Sequence, residues 1–295
     1  MKKYEFTDEI KYVSGKELKR IRALIDISTD FGVVKAGDPG GWLESERNLS
    51  QNGNAWAYDN AQVYGDARVY GNARVCGDAQ VYGKAQVCCD AQVYGKAQVC
   101  CDAQIYGNAW VYDNAQIYNN AWVYDNAQIY GNARVYDKAR VCCDAQIYGD
   151  AQIYGDAWVY DNAWVYDKAW VCGNARVCGD AQIYGNAGVC GNARVCGDAQ
   201  VYKSTHYFVV GPIGSRNDFT TFFRAKNAAY KVKCGCFNAA YKVKCGCFLG
   251  TIDEFLDAVQ KTHDDSYHGD VYRACAATAK IQFEAIEEEE PLCKE

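Results

Sequence analysis

Residues Ala61-Gln62-Val63-Tyr64-Gly65-Asp66 spell a phrase that recurs, with small changes, from Ala55 to Ser204. Its slots hold Ala, then Gln, Arg or Trp, then Val or Ile, then Tyr or Cys, then mostly Gly or Asp, then Asn, Asp or Lys. Every sixth residue from Ala55 to Ala199 is alanine, 25 in succession. An α-helix turns once per roughly 3.6 residues, so a period of six carries any apolar face away from its partner. Extended chain suits it better. Ala and Val/Ile, two apart, point to one side, while the residue between them and the Tyr or Cys point to the other. Gly, Asn and Asp in the last two slots tolerate positive φ and bend the chain at little cost. Each unit therefore reads as one flat side and one corner.

An aliphatic residue followed four positions later by a small one, as in Val63 and Ala67 or Ile147 and Ala151, resembles the hexapeptide repeat of left-handed parallel β-helix proteins. The resemblance covers half the chain. It implies a mainly β fold, a left-handed parallel β-helix of about eight triangular coils with three units per coil. At roughly 4.8 Å per stacked strand such a prism is on the order of 40 Å long. Members of that family with a known activity are mostly acyltransferases, which use a histidine base and a loop expelled from a corner. This sequence departs on both counts. Its three histidines, His206, His263 and His268, lie beyond the repeat, and no loop breaks the register. Acyl transfer therefore rests on the resemblance alone, and fold does not imply function. No catalytic residue and no cofactor is assigned. Ice binding is disfavoured, because no threonine occurs between 55 and 204.

If three units make one coil, residues 18 apart stack. One column is Tyr58, Cys76, Tyr94, Tyr112, Tyr130, Tyr148, Tyr166, Tyr184 and Tyr202. A second runs Arg68, Gln86, Gln104, Trp122, Arg140, Trp158, Arg176, Arg194, and a third Trp56, Arg74, Gln92, Trp110, Gln128, Gln146, Trp164, Gln182. The simpler reading is ladders that reinforce the sheets. The sharper reading is a flat aromatic face, Tyr94 to Tyr184, that binds a sugar polymer, a partner protein or a second copy of the chain.

Eleven of the seventeen cysteines lie in the repeat, eight of them in the tyrosine slot. An odd total and the absence of an export signal point to reduced thiols in a cytoplasmic or phage-associated protein. Cys172 and Cys190, like Cys178 and Cys196, are 18 apart, so each pair would stack near disulfide distance; free thiols are the reading favoured here. The doublets Cys88-Cys89, Cys100-Cys101 and Cys142-Cys143 lack matching partners and the corner aspartates are turn formers, so no metal site is assigned.

Residues 1–54 read as a β cap over the first coil, with a strand across Leu18–Ile27 and Trp42 and Leu43 against the repeat; solenoids need atypical end units. Residues 205–286 read as a small α+β domain. It has a strand from His206 to Val210, a turn across Gly211–Ser215, a strand Phe219–Phe223, a helix capped by Thr251 and Glu254, and a second helix over Val271–Phe283. Within it an 11-residue block, Asn227–Phe237, is copied as Asn238–Phe248, which gives Cys234, Cys236, Cys245 and Cys247. These are read as strand cysteines on a half-buried face. The stretch resembles a small domain that accompanies such repeats in bacterial and phage proteins of unknown role. Gly214, Ser215, Arg216 and Asn217 could cradle an anion. An acidic tail closes the chain at 287–295.

A net charge of −6 gives no basic footprint for nucleic acid, and no stretch is long and apolar enough to span a membrane. The reading is a non-enzymatic scaffold or binding protein. It works through a protein partner or self-association, a homotrimer among the options. The alternatives are a hexapeptide-type acyltransferase and a phage-associated protein that sequesters a ligand.

Overall fold

The computed structural model describes residues 2–29, 32–214, 217–225 and 241–289. The chain divides into two compact units, Met1–Asp161 and Asn162–Glu295.

The first unit opens with β1 (Tyr4–Val13) and β2 (Lys16–Ala23), an antiparallel hairpin turned by Ser14 and Gly15 at φ 50° and 78°. A small hairpin follows, β3 (Ile27–Thr29) with β4 (Gly32–Val34). β2 then pairs antiparallel with β5 (Pro39–Leu43). On its other edge β5 pairs parallel with Gln62–Val63, setting Trp42 against Gln62 and Leu43 against Val63. This is where an antiparallel cap becomes a parallel solenoid. The joint is sealed by buried polar groups. Asn48 Nδ2 donates to Gly65 O (3.0 Å) and Ala67 O (2.9 Å), and the Tyr4 hydroxyl donates to Leu49 O (2.8 Å). Lys3 Nζ donates to Ala55 O at 2.8 Å. Such partners are what lets a buried polar group persist. The strand expected at Leu18–Ile27 ends at Ala23, and in β1 the alternation of Tyr4, Phe6, Ile10 and Tyr12 is interrupted by Asp8 at a register shift against β2.

From 55 onward the described residues hold twenty-five two-residue strands, β6 (Trp56–Ala57) to β30 (Gln200–Val201), one per six-residue unit. Every repeat Ala and Val or Ile on the inward side is fully buried. The small residue beside the branched one fills a narrow interior without strain. Within the first unit the strands sort into three parallel sheets. One runs from Gln62–Val63 through Gln80–Val81 and Gln98–Val99, the second starts at Arg68–Val69, and the third at Trp56–Ala57. The register is in phase: Gln86 pairs with Gln104, Gln104 with Trp122, Trp122 with Arg140. Gln92 N donates to Ala109 O (2.9 Å) and Tyr94 N to Val111 O (3.0 Å), so turns are joined by backbone. At the corners Asn side chains form ladders, Asn114 to Asn132 (3.2 Å) and Asn132 to Asp150 (3.0 Å). The cap supplies two further sides, β5 and the bridge Leu49–Val69. With them the solenoid has about nine turns at three sides each, against the eight read from the repeats alone.

The second unit carries the same pairing in Trp164–Gln182, Trp170–Gly188 and Arg176–Arg194. A four-stranded antiparallel sheet follows, in the order β31 (Tyr207–Ile213), β32 (Asp218–Arg224), β33 (Tyr241–Cys245), β34 (Phe248–Thr251). Helices α1 (Ile252–His263) and α2 (Tyr267–Glu289) complete it. Their buried faces meet the sheet in a core of Phe222, Val243, Phe255, Val259, Tyr272 and Phe283. α1 starts with the expected capping box, in which Glu254 N donates to Thr251 Oγ1 (3.1 Å) and Thr251 N to Glu254 Oε2 (2.8 Å). Three expectations are corrected here. β31 starts at Tyr207 and runs on through the cis Gly211–Pro212 bond to Ile213, so no turn occupies 211–213. His206 is in a 3-10 turn, Ser204–His206, not in the strand. α2 is longer at both ends than Val271–Phe283 and enters the acidic tail. The first copy of the duplicated block, with Cys234 and Cys236, lies outside the described residues.

Candidate functional site

The column that mixes arginine with tryptophan produces the most distinctive surface of the first unit. Trp122, Arg140 and Trp158 occupy three successive turns of one sheet. The Arg140 guanidinium lies 4.9 Å from the centroid of each flanking indole, sandwiched between them. Each such contact is worth roughly 0.5–1 kcal/mol at a partly exposed site. The planar guanidinium stacks on the face of each indole, which a compact ammonium could not do. Asn120, Lys138 and Asp156, from the adjoining corner, complete the rim of a recess of about 260 Å³. The recess thus combines flat apolar walls with two cations and one carboxylate. Spacing by 18 had placed the three residues in one column. It did not show that Arg140 would lie between the rings. In the third column, Trp110 and Trp164 are 39% and 38% exposed, among the most exposed aromatic rings of the repeat.

The tyrosine column stacks ring on ring. Tyr94 and Tyr112 lie 4.9 Å apart, Tyr112 and Tyr130 4.8 Å, Tyr130 and Tyr148 4.9 Å, and Tyr166 and Tyr184 5.1 Å, all within a few degrees of parallel. The rings are half-buried, and burial pushes the Tyr112 phenol up to about 12. Comparable stacks occur in the other two columns, as at Tyr64 with Tyr82 and Tyr106 with Tyr124. With ring faces against each other, a partner would meet ring edges.

Of the anion turn, Gly214 and Asn217 have φ of 72° and 50°, and Asn217 N donates to Gly214 O (3.2 Å) in the β31–β32 connection. Ser215 and Arg216 lie outside the described residues. The histidines do not converge. His206 is fully buried, edge-on to the Tyr202 ring at 4.1 Å. His263 and His268 meet each other at 6.1 Å, at the end of α1 and the start of α2. A general base must reach its substrate, and the burial of His206 removes it from that role.

The reading of free thiols is corrected for four cysteines. Cys172–Cys190 and Cys178–Cys196 are disulfides, each with Cα atoms 4.7 Å apart. Stacked strands fix that spacing, so local geometry decides the pairing. Cys245 accepts from Thr220 Oγ1 at 3.1 Å, and Cys247 is exposed in the next turn.

Comparison with known proteins agrees with the repeat. A family model described as the YdcK β-solenoid repeat matches residues 61–77, 103–115, 127–142 and 151–167. The chain is also 40% identical over 68 residues to a protein of Escherichia coli (strain K12) named an uncharacterized acetyltransferase YdcK. That match covers 21% of each chain, so this chain spans about a fifth of the relative's length. No described helix is long and apolar enough to cross a membrane.

Proposed function

We propose that the chain is a non-enzymatic solenoid binding protein whose contact face carries Trp122, Arg140 and Trp158, with a second copy of the chain as the occupant. The observation that supports this reading is the recess itself. It places two indoles and a preorganised guanidinium side by side on a rigid wall, and Trp and Arg are the residue types that dominate protein interfaces. Rigid backbone ladders mean that little order has to be created on binding. The test is sedimentation velocity with chemical cross-linking at micromolar concentration. Wild-type protein is expected to self-associate, and Trp122→Ala with Trp158→Ala to sediment as a monomer. A wild-type monomer with no cross-linked species would retire the reading.

The second reading, acyl transfer, is favoured by the name of the Escherichia coli relative. Against it stand the burial of His206 and the lack of any histidine between 55 and 204. Calorimetry with acetyl-CoA separates the two, since binding heat would favour the enzyme.

A further inference from the structure

We infer that Asp125, Cys142 and Cys143 form a binding site for a thiophilic divalent cation of the zinc or cadmium type. Their ligand atoms lie within 4.8 Å of one another, the one such trio among the described residues. Cys142 is buried in the tyrosine slot, Cys143 follows in the corner, and Asp125 is in the same corner one turn earlier. The two sulfurs are 3.7 Å apart. Two thiolates on one tetrahedral zinc at about 2.3 Å each stand roughly 3.8 Å apart, so the pair is already at coordinating distance. The exposed Asp125 carboxylate needs to swing by about 1 Å to reach the same ion.

The doublets Cys88-Cys89 and Cys100-Cys101 show similar sulfur separations, 3.5 and 3.6 Å. The columns holding Cys89 and Cys101 supply no carboxylate beside them: Gly71 and Gly107 flank Cys89, and Gly83 and Asn119 flank Cys101. The third ligand is therefore what distinguishes Cys142-Cys143. Cys143 has φ of 60°, and Cys89 and Cys101 share that conformation at 62°, so the bend does not distinguish the three doublets.

The chemistry is balanced by proton release. Both thiols bind as thiolates, so each cation that enters displaces two protons. The Tyr124 hydroxyl, one turn earlier in the same column as Cys142, donates to its sulfur. Tyr124 is thus placed as an outer-shell donor to the thiolate. Three protein ligands leave a fourth position for water.

The test is anaerobic titration of the tag-free full chain, disulfides intact, with Co²⁺. It is followed by the thiolate-to-cobalt charge-transfer band and then by displacement with Zn²⁺. One band-forming equivalent is expected, lost in Cys142→Ser with Cys143→Ser and kept in Cys88→Ser with Cys89→Ser. Asp125→Asn should weaken binding roughly tenfold or more, and Tyr124→Phe about tenfold. Asn is already accommodated in that slot at Asn119, with φ of 58°, so Asp125→Asn is not expected to disturb the fold. Circular dichroism verifies this. The inference is overturned if no band forms, if the band survives loss of Cys142 and Cys143, or if Asp125→Asn binds as wild type does.

Discussion

The Arg140 guanidinium is held 4.9 Å from the Trp158 ring centroid, one turn of the solenoid away. An equal contact to Trp122 lies on its other side. Arg140→Ala removes both and should destabilise the first unit by about 1–2 kcal/mol. Arg140→Lys should recover part of this, because an ammonium keeps the charge but not the plane. Urea unfolding followed by tryptophan fluorescence measures both, and an unchanged midpoint for Arg140→Ala would mean that the sandwich contributes nothing.

Much of that arrangement could be read in the chain beforehand. The six-residue period gave the strands, the corners and the buried alanines, and spacing by 18 gave the columns. The missed parts have separate causes. β1 alternates Tyr4, Phe6, Ile10 and Tyr12 with polar residues, but Asp8 breaks the alternation where the register with β2 shifts, and that hides the strand. The state of Cys172 and Cys190 was argued from compartment, although the stacking distance was the stronger term. Asp125 and Cys143 share a corner column, 18 apart, which the spacing shows; that their side chains converge it does not show.

Gly188 is the one glycine in a slot that otherwise carries Gln, Arg or Trp. A Cβ built there falls on the Trp170 indole, which lies over it from the paired strand. Gly188→Gln should cost about 1–3 kcal/mol by overpacking. Adding Trp170→Gln should restore most of the loss. Additive losses in the double variant would show that the indole does not occupy that space.

The disulfides Cys172–Cys190 and Cys178–Cys196 each close a loop of 18 residues. A loop of that size corresponds to about 3 kcal/mol of denatured-state constraint. Because repeat arrays unfold locally, the effect should be confined. Reductant should speed hydrogen exchange at Val171 and Val177 by up to about 100-fold while leaving Val93 unchanged. Equal protection with and without reductant would contradict this.

Lys3 is 2% exposed, and burial pulls its ammonium from 10.5 down to about 8. Between about pH 8 and 10.5 the unfolded chain binds this proton while the folded chain does not. The contribution of Lys3 to stability therefore rises with pH across that window. Buried thiols work the other way: Cys76 and Cys100 are each pushed up to about 11 by burial, so they oppose folding above about 9. The clean readout is the wild-type stability minus that of Lys3→Met, which should climb from pH 8 to 10.5. A flat difference would place the lysine head in water.

The phased columns between Gln80 and Trp122 make one lap equivalent to the next. Excising residues 91–108 joins Asp90 to Ala109, and every column closes over the gap with an inward alanine, an inward aliphatic and a bend in place. The length of the first unit is therefore free to change by whole laps. In-frame duplication or loss of a 54-nucleotide stretch would alter reach without asking the fold to be reinvented.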